Sequence, residues 1–433
     1  MLRRSGRRAA SCYLNMIYFS MQWLAALIFA LALAHTFAAK QFEHLAHIYP
    51  KHAGLLHLLG EVEIVFGFWA IVLVSAMALW QGSEAALDYA ESRQYTEPMF
   101  VFVVMIVAAS KPIMDLVSRA IHGIADVLPM RASVARVWLG LAAVPLFGSL
   151  ITEPAAMTIA ALMLAPQVFR PEVPERLKYM ALGVLFVNVS IGGTLTSYAA
   201  PPVLMVAAVW QWDSAFMFQQ FGWKAVIAVL INASLAAYVL RQHLNEPIGQ
   251  NLTEPVVQVP WAVSLVHVAI LAGVVVLAHH PVAFIGLFLM FMGFAHAYER
   301  YQTPLIMKEA LLVSFFLGGL VVLGGMQQWW LQPVVSGMSP GTLFVGATAL
   351  TAFTDNAALT YLGSLIVGIS EEAKYSLVAG AVAGGGLTVI ANAPNPAGVA
   401  LLRSGFSEGA VGAGGLLMGA LVPTLIAMAA FLL

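Results

Sequence analysis

This chain has little charge and almost no cysteine. Charged residues make up 9% of its 433 positions and hydrophobic residues 61%, whereas roughly a quarter of a soluble domain is charged. The shortage excludes a soluble globular protein and points to an integral membrane protein with the lipid bilayer as its main partner. An excess of either sign is also missing. The 20 basic and 21 acidic side chains leave a net charge of -1, so there is no basic field to hold nucleic acid. Cys12 is the sole cysteine, which excludes an internal disulfide framework and any cysteine-built metal or iron–sulfur site. No nucleotide-binding loop, His-Glu-x-x-His helix or Ser/His pairing at motif spacing occurs, so neither an enzyme nor a resident cofactor is expected.

Apolar runs fill most of the rest, from Ile17–Ala34 to Val411–Leu433. A helical crossing needs about 20 apolar residues, which gives an all-α polytopic fold of about 10–12 transmembrane segments. Several runs are too short to cross and end in Gly, Pro, Thr or Asn. Such pieces read as re-entrant hairpins and discontinuous helices, because broken backbone at membrane depth must be buried in protein or line a wet cavity. Arg3, Arg4, Arg7 and Arg8 before the first run place the N-terminus in the cytoplasm of a bacterial-type inner membrane. That run reads as a retained span rather than a cleaved signal. By the same rule Arg93, Arg170, Arg176, Lys178, Arg241, Arg300, Lys308 and Arg403 fall inside, while Arg131 and Arg136 fall outside and work against the bias.

The Pro-bearing stretch 245–260 is the best linker. It divides the chain into N-terminal spans with a His-rich loop (1–130, read as a scaffold), a first repeat (131–244) and a second repeat (261–433). His35, His44, His47, His52 and His57 gather in that loop, and a solvated interfacial helix explains them better than a metal site. Two motifs recur in the same order across the linker. Thr152-Glu153-Pro154-Ala155-Ala156 matches Thr354-Asp355-Asn356-Ala357-Ala358, and Gly192-Gly193-Thr194-Leu195-Thr196 matches Gly384-Gly385-Gly386-Leu387-Thr388. Each second motif runs into prolines, Pro201-Pro202 in one case and Pro394 in the other. The predicted arrangement is an inverted-topology repeat, each copy holding one hairpin and one broken helix, with a site where the two meet.

Glu153 and Asp355 lie at the predicted hairpin tips, where a carboxylate is costly unless it meets a partner or a cavity. Thr152, Thr354, Thr196, Thr388, Asn356, Asn392, Asn395 and Asn188 add neutral oxygens, a hard ligand set suited to a small hard cation. Burial disfavours the charged carboxylate and an arriving cation favours it, so proton and cation compete for one place. An N-cap role is the plainer explanation for each acid, and at a hairpin tip the two roles coincide. Gly192, Gly193, Gly384 and Gly385 permit unwinding and close backbone approach, and the prolines forbid helix continuation. Lys111 and Asp115, four apart on one helical face, read as a structural pair.

The tip motif with Asp355-Asn356, and the Gly-Gly-Thr-Leu-Thr break followed by Pro201-Pro202, resemble the ion transporter superfamily of NhaD-type sodium/proton antiporters, arsenite permeases and dicarboxylate transporters. Within it the chain is most similar to a family of Na+/H+ antiporters, over most of its length from about Val134 onward. The resemblance implies exchange of Na+ or Li+ for H+, a homodimer with scaffold and transport domains, and no metal beyond the transported Na+. Carboxylate transporters of the superfamily show Ser-Asn-Thr at the tips, so Glu153 and Asp355 argue for a cation. The alternative is an anion carrier of the same superfamily, taking a carboxylate or arsenite; a passive channel ranks lower. Glu153-Pro154 departs from the usual antiporter tip, which leaves Asp355 as the stronger of the two acids.

Overall fold

The computed structural model describes residues 2–244, 258–407 and 409–433, and side chains other than those of residues 2–20, Lys40, Glu43, His122 and Asp126. The linker, apart from residues 258–260, and the basic N-terminal side chains lie outside these. Among the described residues the fold is all helical. In chain order the helices are α1 (Leu2–Ile48), α2 (Ala53–Gly60), α3 (Val62–Gln81), α4 (Ser83–Glu91), α5 (Thr96–Ala108), α6 (Lys111–Val127), α7 (Ala132–Leu141) and α8 (Ala143–Ile151). There follow α9 (Glu153–Val168), α10 (Glu175–Gly192), α11 (Pro201–Trp210), α12 (Ser214–Met217), α13 (Trp223–Leu240), α14 (Trp261–Val276) and α15 (Pro281–Ala297). The last are α16 (Met307–Gly324), α17 (Gln328–Ser336), α18 (Pro340–Thr351), α19 (Asn356–Ser364), α20 (Glu371–Gly384), α21 (Asn395–Leu402) and α22 (Ala413–Phe431). Among the described residues 6 helices are long and apolar enough to cross a membrane, or up to 8 if two bent pairs each count as a span. The protein is a polytopic membrane protein. Full-length spans are fewer than the apolar runs suggest because hairpin arms such as α9 (16 residues) and α19 (9 residues) are about 24 and about 14 Å long, short of a hydrocarbon core of about 30 Å.

Two compact units interleave along the chain. The first holds residues up to Pro98 together with Leu312–Met338 and Leu365–Gly368. In it α3 crosses α16 at close range: a Cβ on Gly319 would lie 2.3 Å from the backbone nitrogen of Gly67, and one on Gly67 would strike the Phe315 ring. Phe66 stacks edge-on against Phe29 and Phe316 beside this crossing. His35 is buried, with Leu59 O 2.9 Å from Nε2 and the Trp69 indole donating to Nδ1. That exhausts its two ring nitrogens as a neutral imidazole. His47 and His57 are exposed, their ring centroids 6.1 Å apart.

The second unit holds Met99–Leu311, Ser339–Ser364 and Ile369–Leu433. Its helix directions follow from a few bonds. Lys178, near the start of α10, donates to Gly405 O at 2.7 Å, and Gly412 N donates to the Tyr179 hydroxyl, so α10 and α22 start at one end. Tyr375, near the start of α20, donates to Phe431 O at 2.6 Å, which is where α22 stops. Hence α10 and α20 run in opposite directions. Arg131 donates to Arg241 O and Leu244 O, and Arg170 to His243 O. Arg131 therefore shares an end with Arg170 and Arg241, which corrects the expectation that it lies on the opposite side. The short-arm hairpin returns α9 to the end at which α7 began, a closure that a count of charges along the chain does not see.

The arm α7–α8 bends by 41°. Pro145 has no N–H, so it cannot satisfy the carbonyl of Leu141 one turn earlier. Asn188 of α10 does so instead, its Nδ2 donating to Leu141 O at 2.8 Å while its Oδ1 accepts from Asn232 of α13 at 2.9 Å. In α18, which runs unbroken, a Cβ on Gly380 would lie 2.2 Å from Phe344 O, so α20 packs there by direct backbone approach. Asn188→Ala leaves the Leu141 carbonyl buried and unpaired and is expected to destabilise the protein by about 1–3 kcal/mol. Adding Pro145→Ala restores a backbone donor and should recover part of that loss; thermal unfolding of the detergent-solubilised protein measures both.

Candidate functional site

Each hairpin tip is set by its residue types. Thr152 separates α8 from α9 with φ 80 and ψ 152, a left-handed conformation that a β-branched residue adopts only under constraint. Glu153 and Pro154 then open α9, Pro being suited to the first helical turn. Glu153 is 0% exposed. It does not cap its helix; its Oε2 accepts a 2.8 Å hydrogen bond from Asn392 Nδ2, and its Oε1 has no partner. At the second tip Asp355 is half-buried and does cap its helix, its Oδ1 accepting from the backbone nitrogens of Ala357 at 2.8 Å and Ala358 at 3.2 Å. The N-cap role thus falls to Asp355, and the buried, half-satisfied carboxylate is Glu153.

The breaks supply the other walls. Helix α10 ends at Gly192, makes one tight turn over Gly193–Leu195, is extended at Thr196, and resumes as α11 at Pro201 with Pro202 following. Helix α20 ends at Gly384, is extended at Thr388 and Asn392, and resumes as α21 just after Pro394. Each break leans on the hairpin of its own half. A Cβ on Gly192 would sit 2.5 Å from Pro145 O, and one on Gly384 2.5 Å from Thr348 O. Thr196 donates to Ser149 O at 2.7 Å, and Thr388 to Ala352 O at 2.9 Å. These two threonines are latches between break and arm, with their hydroxyl protons committed to carbonyls.

The second break and the second tip also reach the other half. Asn392 of the second break holds Glu153 of the first tip. Asn356 of the second tip donates to Ser190 Oγ of α10 at 3.4 Å. Asn395 donates to Gly385 O and Thr388 O, tying down carbonyls that the second break frees. The side-chain oxygens of Thr152, Asn356, Asn392 and Asn395 are buried and accept no hydrogen bond. Glu153 Oε1 is unpaired as well, and such atoms at both tips and in the second break stand out because buried polar atoms are nearly always paired. Chemically that set suits a cation without soft-ligand preference, with Glu153 supplying the charge.

Of the residues singled out in the sequence, Glu153, Asn392 and Gly193 come together at one point, and Asn356, Asn395 and Gly385 at another. Thr354 lies half-buried beside Asp355. Asn188 is placed in the α7–α8 bend, its amide engaged by Leu141, Val229 and Asn232. Sequence reasoning missed Ser149 and Ser190. Ser149 Oγ donates to Gly192 O at 2.7 Å and accepts from Leu195 N; Ser190 Oγ donates to Val382 O at 2.8 Å. Both are fully or almost fully buried. A small hydroxyl just before a tip or a break was the available signal, but it does not stand out in a chain rich in small residues.

A family model described as "Putative Na+/H+ antiporter" matches residues 20–433 of this chain. No curated protein matches it in sequence.

Because the carbonyls facing Gly192 and Gly384 are backbone, they cannot turn aside for a methyl group. Gly192→Ala and Gly384→Ala are each expected to cost about 1–3 kcal/mol through overpacking. Melting of the purified variants, set beside an Ala substitution at the open position Gly346, checks this.

Proposed function

The chain belongs to this Na+/H+ antiporter family, and we propose that it exchanges Na+ or Li+ for H+ by alternating access, with Glu153 and Asp355 as the charged groups serving ion and proton. One observation carries the reading: a fully buried carboxylate with one oxygen bound by Asn392 and the other unbonded, next in the chain to Thr152, whose buried hydroxyl is also unbonded. An ionised carboxylate in such surroundings is costly until a counter-charge arrives. A proton or a cation relieves that cost, and either displaces the other. Competition at one group becomes coupled exchange once the group faces the two sides of the membrane in turn. The described side chains gathered at the tips are acids, amides and hydroxyls, a set that suits a cation rather than a carboxylate or arsenite.

The same reading extends to the architecture. We take residues 131–244 and 261–433 as inverted repeats, and residues 1–130 as part of a scaffold, within the ion transporter superfamily. The opposite directions of α10 and α20 and the matched packing of Gly192 and Gly384 support the repeat. The end bearing Arg131, Arg170 and Arg241 is taken as cytoplasmic, together with the N-terminus, in a bacterial-type inner membrane. A homodimer is the proposed working form.

In everted vesicles carrying the protein, adding Na+ or Li+ should dissipate an imposed pH gradient. Glu153→Gln should abolish the response. Asp355→Asn should abolish it too, and since Asn caps helices as well as Asp does, that loss reports the charge and not the fold. Silence toward every monovalent cation from mildly acidic to alkaline pH would refute the antiport reading, and uptake of labelled succinate or arsenite would establish the anion alternative.

A further inference from the structure

We infer that the first unit binds the phosphodiester headgroup of a glycerophospholipid, through Arg93, Gln22, Gln328 and Trp329. The inference is independent of the ion site and of the antiport reading. A cavity of about 340 Å³ lies at the turn from α16 into α17, with Gln22, Gly325, Gln328, Trp329 and Gln332 in its wall. All belong to the first unit, and among the described residues the wall contains no carboxylate. Part of the wall is braced by amides already in use. Gln332 Oε1 accepts from Val367 N and its Nε2 donates to Val367 O, each at 2.9 Å. Gln327, just before α17, donates to Leu323 O at 2.8 Å and accepts from the Trp330 indole. Gln22 and Gln328 differ from these. Neither amide has a hydrogen-bond partner among the described residues, which leaves their N–H groups to an incoming acceptor.

Charge comes from Arg93, which abuts the wall at Gly325. A Cβ on Gly325 would strike Arg93 Nη1, so the guanidinium lies directly against that backbone. Tyr89 holds it there, with the Arg93 Cζ 4.6 Å from the ring centroid and Nε donating to Tyr89 O at 3.3 Å. Nη2 donates to Ser92 Oγ at 2.9 Å, and Nη1 has no partner among the described residues. A fixed guanidinium with one nitrogen to spare, beside two amides, is a donor set that suits phosphate oxygens. Position identifies the source of the phosphate. The apolar span of α16 ends at Gly324, one residue before the cavity wall. The Trp329 ring meets that of Trp23 at 4.8 Å between centroids, and tryptophan concentrates where hydrocarbon gives way to headgroups. From Trp23 an exposed stripe continues along α1 through Leu27 and Leu31, at the four-residue spacing of one helical face. A phospholipid matches both parts, its phosphate in the cavity and its acyl chains along the stripe.

The test titrates phosphatidylglycerol into the full-length, delipidated protein in detergent, reading bound lipid by native mass spectrometry and melting temperature alongside, with inorganic phosphate in parallel. Phosphatidylglycerol should stay bound and raise the melting temperature, and phosphate at the same concentration should not. Gln328→Glu keeps the side-chain shape at an exposed position and sets a carboxylate against the phosphate. It should weaken phosphatidylglycerol binding by about tenfold or more, the effect of losing a hydrogen bond to a charged group. Arg93→Ala should weaken it similarly. Arg119→Ala, at an exposed arginine on α6 of the second unit, should leave it unchanged. Unchanged binding in Gln328→Glu or in a folded Arg93→Ala would overturn the inference, as would equal stabilisation by inorganic phosphate. If Arg93→Ala does not elute as a monodisperse protein, Gln328→Glu alone decides.

Discussion

Taking a carboxylate out of water costs several kcal/mol unless the fold repays it with partners. Glu153 is wholly buried and receives one described hydrogen bond, from Asn392. That bond has consequences for the whole second unit. It requires the second broken helix to be extended at Asn392 so that its side chain reaches the first tip, and it requires Thr152 to hold a left-handed turn that aims Glu153 inward. It also requires Gly193, because any side chain there would occupy the place of the carboxylate. The breaks in α10–α11 and α20–α21 are in this sense the means by which two halves of a hydrophobic chain come to share one charged group.

The two halves pack break against arm alike and differ in chemistry at the tips. Both pack a break glycine on an arm carbonyl, and both latch a threonine hydroxyl to the same arm. At the tips they part: Asp355 spends its Oδ1 on the backbone of α19, whereas Glu153 spends nothing on its own helix. The arms part as well. Pro145 breaks the first arm and makes Asn188 necessary, while the second arm is a continuous helix that meets Gly380 directly. Carbonyls left over by Pro145 and by the breaks are met by amide and hydroxyl side chains, Leu141 O by Asn188, Gly192 O by Ser149 and Gly385 O by Asn395, as backbone groups removed from water require.

Much of the site was legible because its signals are local. Proline cannot continue a helix and paired glycines permit unwinding, so the breaks at 192–202 and 384–394 could be placed from residue types alone. A repeated acid beside a repeated threonine marked both tips. The division of labour between the acids was not legible, and the sequence favoured Asp355 where the geometry puts the half-satisfied carboxylate at Glu153. The reason is distance along the chain. Asn392 and Glu153 are 239 residues apart, and no local pattern records that they meet. Arg131 was misplaced for the same cause, since its partners, the Arg241 and Leu244 carbonyls, are brought to it by the return of a hairpin.

The sequence by itself determined that this is a helical membrane protein, that two short motifs recur in it, and where its backbone must break, because composition, hydrophobic length and the stereochemistry of glycine and proline act within a few residues. Only the tertiary structure decided which carboxylate is left half-satisfied, which amide holds it and which glycine stands against it. Those outcomes depend on which buried polar atoms find partners across helices, and hydrogen bonding acts over about 3 Å in space whatever the separation in sequence.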